Sequence, residues 1–173
     1  MLHINRIPKL VAIGLCLGMV SILYGFVLGG AFGLSEKAIK NHLNQSGKTV
    51  IDSVYKGNTA VKDAVVAKSW DYLKRSHLHG GAIGVAAIGV ILAMIVLCKP
   101  TLWVGLCSVA FGSGALLYSL FWLLAGLIAP SMGSTGAAKE ALSFIAVPGA
   151  GLTLLGLTGA LILVVKDTLI KPS

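Results

Sequence analysis

The sequence is poor in charge, and above all in negative charge. Only 12% of its 173 residues are Asp, Glu, Lys or Arg, and six of them are acidic, against 56% hydrophobic residues. Four stretches hold no charged residue at all: Leu10–Leu34, Leu78–Leu97, Leu102–Ala129 and Ala141–Val165. An ionised side chain at bilayer depth costs at least ~2.5–3.5 kcal/mol, so runs without one point to lipid as the solvent. Each run meets the roughly 20 apolar residues needed to cross a bilayer. The mean hydropathy of +0.89 agrees. A soluble globular domain is excluded by this composition.

Other absences narrow the function. There are three cysteines, Cys16, Cys98 and Cys107, at no metal-ligand spacing. Without Cys-x-x-Cys or Cys-x-x-Cys-His, zinc-ribbon and covalently attached c-type haem readings fail. All three fall in or at the ends of apolar segments, as small buried hydrophobes do, which suits a reducing compartment and not a disulfide framework. Gly-x-Ser-x-Gly, His-Glu-x-x-His and a P-loop are missing, so no catalytic activity of its own is expected. No carboxylate pair lies inside an apolar run, which counts against a pump or an ion-coupled transporter. Net charge is +8, but it is spread over membrane-flanking segments with no basic stripe interleaved with aromatics. Attraction to anionic headgroups is expected, and nucleic acid is not.

What is present reads as one all-α membrane domain, residues 1–173: a four-helix bundle with helices at about 10–34, 78–97, 102–129 and 141–165. Arg6 and Lys9 before the first run resemble the start of a signal peptide. The run is about 25 residues, longer than the 7–15 of a signal h-region, so a retained first helix is expected. That helix carries Gly14-x-x-x-Gly18, Gly25-x-x-x-Gly29 and Gly29-x-x-x-Gly33. This spacing serves close packing within a bundle or a dimer face. Pro148 in the last run is expected to kink that helix.

Ser35–Ser76 is the extramembrane segment. Ile39, Leu43, Val50, Val54, Val61 and Val65 recur as in an amphipathic helix, with Gly47 and Gly57-Asn58 as expected interruptions. Lysines 37, 40, 48, 56, 62 and 68 form its expected polar face. It reads as a helical hairpin on the headgroups or capping the bundle, or as a docking surface for a partner. Trp70, Tyr72 and Trp103 mark interfaces, and helix three carries Tyr118, Phe121 and Trp122 near its far end. Residues 131–139 read as a short polar loop.

Four crossings place both termini on one face. That face carries Arg6, Lys9, Lys99, Lys166 and Lys171; the other carries nine basic residues, eight of them in or beside the long first loop. Weighting short segments over long ones puts both termini in the cytoplasm, in an inner or plasma membrane.

The only concentrated chemistry is Lys74-Arg75-Ser76-His77-Leu78-His79-Gly80-Gly81. Imidazole is a ligand for haem iron, copper and zinc. In regular helix, His77 and His79 would point about 160° apart and could not share a metal. If helix begins only at Gly80, the pair could be extended and chelate one ion. Gly80, Gly81 and Gly84 offer a flat surface for a macrocycle or a quinone ring. Helices three and four contain no histidine, and His3 is expected on the opposite face. A second ligand from this chain would be His42 or Met132; otherwise it comes from another subunit, or the iron stays five-coordinate. Ordinary interfacial histidines, bonded to headgroups or a helix terminus, are the plain alternative.

His-x-His at the start of a membrane helix is similar to ligand elements of haem-containing respiratory subunits, without the partner histidines those carry. That similarity implies haem b and electron transport. The expected function is a small subunit of a larger, respiratory or redox, membrane complex, associating with other membrane subunits or with copies of itself. The competing readings are a structural or assembly protein without cofactor, and a small standalone transporter or sensor.

Overall fold

The computed structural model describes residues 7–170, and among these the chain is predominantly helical, with five α-helices and no strand. They are α1 Lys9–Lys48, α2 Thr59–Leu97, α3 Leu102–Met132, α4 Thr135–Ala141 and α5 Ser143–Val165, followed by a π-helical turn over Lys166–Ile170. Four helices are long and apolar enough to cross a membrane, which is consistent with an integral multi-pass membrane protein. Arg6 and Lys171 lie outside the described residues.

The turns are set by local chemistry. Pro8 precedes α1 with φ −54° and ψ 140°, and its fixed φ suits a helix entry. Asn58 caps α2 by accepting from the Val61 N–H at 3.1 Å. At the other end, Cys98 turns extended ahead of Lys99-Pro100, where proline disfavours helix in the residue before it. Thr101 then caps α3. Gly133, at φ 72°, closes α3 in the left-handed region that glycine adopts without penalty. Ser134 Oγ accepts from the Gly136 and Ala137 N–H groups and starts α4. The stretch 131–139 is therefore mostly helix cap and helix, and only in small part loop.

The extramembrane segment is helical, and it continues the first two membrane helices. The sequence suggested an end to helix one near Ser35. There the backbone does leave helical values, at φ −133° and ψ 19°, but the helix resumes and runs to Lys48. The helix ends one residue past Gly47, and the turn that follows closes at Lys56-Gly57, both with positive φ, and Asn58, so the two expected interruptions bracket the break. At ~1.5 Å per residue, α1 is about 60 Å long, twice the ~30 Å hydrocarbon core. The hairpin thus projects well beyond the apolar slab.

Its polar face also differs from expectation. Leu43 is buried as its periodicity suggests, but Val61 is exposed and Lys62 is buried. Gly47 explains this: a Cβ there would lie 2.9 Å from Lys62 Cγ, so the lysine stem fills the space a side chain would take. The ammonium then donates to Asn44 Oδ1 at 2.7 Å and pairs with Asp63 at 2.7 Å. A long side chain buries its methylenes while its charged end finds partners. The turn at 49–58 folds back onto α3. Tyr55 is buried and its hydroxyl donates to the Pro130 carbonyl at 2.7 Å, one of the last carbonyls of α3 with no partner inside the helix. Burial pushes the Tyr55 phenol pKa up.

Within the bundle, α3 is the central helix. It packs on α1, α2 and α5, while α5 lies chiefly against α3 with a smaller contact to α2. The contacts are made at backbone distance through glycine. A Cβ at Gly14 would lie 2.5 Å from the Ser108 carbonyl, and one at Gly112 would lie 2.5 Å from the Gly14 oxygen. On α5, Gly149 meets Tyr118 and Gly156 meets Phe111 at backbone atoms. Small residues allow this approach, and dispersion between close backbones replaces the hydrophobic drive that lipid does not supply. Gly30 and Gly33 have nothing within 4 Å and face outward. The glycine-x-x-x-glycine repeats of α1 are therefore used inside the bundle up to Gly29, and Gly33 is free. α5 passes through Pro148 as continuous helix, the preceding break lying at Leu142.

Candidate functional site

His77 and His79 both lie inside regular helix, because α2 begins far upstream at Thr59. They face different neighbours. The Nδ1–H of His77 donates to the Gly25 carbonyl of α1 at 2.7 Å. Its ring occupies the space beside Gly29, where a Cβ would stand 2.7 Å from Cε1. Phe32 meets the ring edge-on at 6.1 Å, and Trp70 packs on Phe32 at 5.1 Å. His79 points to α3. Its Nδ1–H donates to the Arg75 carbonyl at 2.7 Å, and its ring lies 5.3 Å from Tyr118 and 6.1 Å from Trp122. Since carbonyls only accept, the proton is on Nδ1 in each ring, and each Nε2 stays available to another partner. The helical alternative of the His-x-His reading holds, and joint chelation of one ion does not fit this backbone.

The glycines beside the pair are filled by α1. A Cβ at Gly80 would meet Tyr24, Ser21 and Gly25, and one at Gly84 would meet Ile22 and the Gly18 oxygen at 3.0 Å. Only Gly81 has open space beside it. The flat surface expected for a ring is thus mostly a helix–helix seam. His42 is exposed on the projecting part of α1, and Met132 is at the end of α3. The helix pairings put both near the level of residue 64 of α2, about 20 Å along the axis from His77 at ~1.5 Å per residue. Among the described residues no group of three or more His, Cys, Asp or Glu is placed to hold a metal. His3 lies outside the described residues.

Two constellations escaped the sequence reading. The first is a hydroxyl relay across three helices. Ser76 is buried and donates to the Ser119 carbonyl at 2.7 Å. Its one proton is then used, so the Tyr24 hydroxyl, 2.6 Å away, is the donor to Ser76 Oγ. Ser21 adds a bond to the Gly80 carbonyl at 3.0 Å. The second is an aromatic–cation cluster between α2 and α3. The Arg75 guanidinium lies 5.0 Å from the Trp122 ring and 5.5 Å from that of Tyr72. Tyr72 and Trp122 meet edge-on at 4.8 Å, with Phe121 and Tyr118 alongside. Tyr72 was legible as an interface residue; the convergence of the α3 aromatics on Arg75 was not.

Comparison with protein-family models, with curated proteins and with solved structures found no match for this chain.

Proposed function

We propose that this chain is a small multi-pass membrane subunit whose work is assembly, holding neighbouring membrane proteins together without chemistry of its own. The observation that carries this reading is the closure of the helix seams at backbone contact: α1 on α2, α1 on α3, and α3 on α5. Walls that meet at glycine backbone leave no lined passage along those seams, which disfavours a standalone transporter. The buried serines bond to carbonyls of their own or a neighbouring helix, so they serve packing. What the bundle leaves unpartnered is its outside, including Phe144, Val147, Leu154 and Leu161 on α5. Native mass spectrometry after mild solubilisation tests the proposal. Copurifying membrane subunits, or copies of the chain, are expected. A stable monomer with no partner overturns it.

A redox version of the same subunit has one observation in its favour. The His77 Nδ1–H is fixed on a backbone carbonyl, which is how proteins orient an imidazole whose Nε2 is a ligand. Haem b, copper or zinc on His77 would take its remaining ligands from a neighbouring subunit. An absorption spectrum and metal analysis of the same preparation, before any partner is stripped, separate this version from the cofactor-free one.

Both termini are placed on the cytoplasmic face in this proposal, with Lys9, Lys99 and Lys166 in short segments there. With Cys16, Cys98 and Cys107 replaced by Ala, Ser53→Cys is expected to react with an impermeant thiol reagent on intact cells, and Lys99→Cys only after permeabilisation. The opposite pattern reverses the orientation, and equal reaction at both refutes the four-crossing topology.

A further inference from the structure

We propose that Arg75, His79 and Trp122 form a binding site for the phosphate of an anionic phospholipid, at the edge of the apolar slab between α2 and α3. The argument begins with what Arg75 lacks. The nearby acid, Asp71, pairs with Lys74 at 2.9 Å, and among the described residues no carboxylate pairs with Arg75. The guanidinium is held instead by stacking near Trp122 and Tyr72. The guanidinium carbon lies over both rings, and among the described residues its N–H donors meet no protein acceptor. Those donors match the oxygens of a phosphate, two at a time.

The neighbours supply further donors and the right sign of field. The buried Nε1–H of Trp122 has no protein acceptor. A buried donor without a partner is uncommon and calls for an explanation. His79 leans on Trp122 and Tyr118; its Nδ1–H is engaged on the Arg75 carbonyl, so its Nε2 accepts in the neutral ring and donates to a phosphate oxygen only in the imidazolium form. Lys68 and Lys74 lie within two turns on α2. The bond from Lys74, then the fields of Lys74, Lys68 and Arg75, hold the Asp71 carboxyl below its usual pKa.

Depth selects the source of the phosphate. From Leu97 to Arg75 along α2 is about 33 Å at ~1.5 Å per residue, against a ~30 Å hydrocarbon core. Lys99, Lys9 and Lys166 mark the opposite edge, so Arg75 falls at the headgroup level of the far leaflet. Further into the slab on α2, roughly 60–80° round the helix from Arg75, Leu78 and Val85 are exposed and apolar, a surface for acyl chains. A soluble anion or an acidic peptide would have no use for that lower half.

Native mass spectrometry of the full chain, delipidated in mild detergent and titrated with phosphatidylglycerol or phosphatidylcholine, tests the proposal. Wild type is expected to retain one phosphatidylglycerol in clear preference to phosphatidylcholine. Arg75→Gln should weaken that binding about tenfold, as loss of a charge-assisted pair does. Arg75→Lys, which keeps charge but not the fork, should recover only part of it. Lys68→Gln serves as the charge control and should change little. Equal losses in Lys68→Gln and Arg75→Gln would reduce the effect to diffuse electrostatics and overturn the site. Displacement of the lipid by millimolar inorganic phosphate would also overturn it, by making the site one for a free anion. Because Arg75 is exposed, its variants should fold, and unchanged circular dichroism is the check.

Discussion

Gly112→Ala is expected to destabilise the bundle by about 1–3 kcal/mol, and Gly112→Leu to prevent its assembly. The cause is geometric. A Cβ at Gly112 would stand 2.5 Å from the Gly14 carbonyl oxygen and 2.9 Å from Leu17 Cβ. The first of these is backbone and cannot rotate aside, so α1 and α3 must part. Parting them breaks the reciprocal contact of Gly14 with Ser108 as well. Gly30→Ala is the control, a glycine of the membrane span of α1 with nothing within 4 Å. It should be neutral or slightly stabilising, since alanine is favoured over glycine in a helix by up to ~1 kcal/mol. The midpoint of detergent-induced unfolding measures both. If Gly112→Ala and Gly30→Ala behave alike, the α1–α3 seam is not packed as described.

Ser76→Ala is expected to cost about 1–2 kcal/mol, more than a typical single hydrogen bond inside a membrane protein, because it breaks two. Ser76 both donates to the Ser119 carbonyl and accepts from Tyr24, so one oxygen ties three helices at one level. Its removal leaves the Tyr24 hydroxyl without its acceptor. The Ser119 carbonyl keeps its helical partner and loses less. The Tyr24 share is separable by a double-mutant cycle. Tyr24→Phe in the Ser76→Ala background should cost clearly less than in wild type, since the orphaned hydroxyl is removed. Strict additivity in the same unfolding assay would mean the two side chains do not cooperate.

Both effects rest on features that sequence alone signals unevenly. The glycine repeats of α1 stood out, but not which helix each glycine meets: Gly14 touches α3, while Gly18 and Gly25 touch α2. Ser76 gave no signal beyond being a serine next to a histidine. Lys62 was misplaced on the polar face because its burial depends on Gly47, fifteen positions away and on another helix. The pair His77 and His79 stands out in the sequence, yet its members serve two different seams.

Four membrane-length helices and the helical character of the Ser35–Ser76 segment were legible in the chain alone. These are local properties: length of apolar run, proline, glycine and capping residues act within a few positions. It took the packed fold to show that the hairpin continues α1 and α2 as long helices, that α3 is central, that α1 fills the glycine face of α2, and that Arg75 lies among aromatic rings. The reason is the solvent. A helix in water shows its buried side by amphipathicity, but a membrane helix is apolar toward both lipid and protein, so its hydropathy says little about how it is rotated. That rotation is fixed by which glycine reaches which backbone across a seam, and such a contact joins residues far apart in the chain.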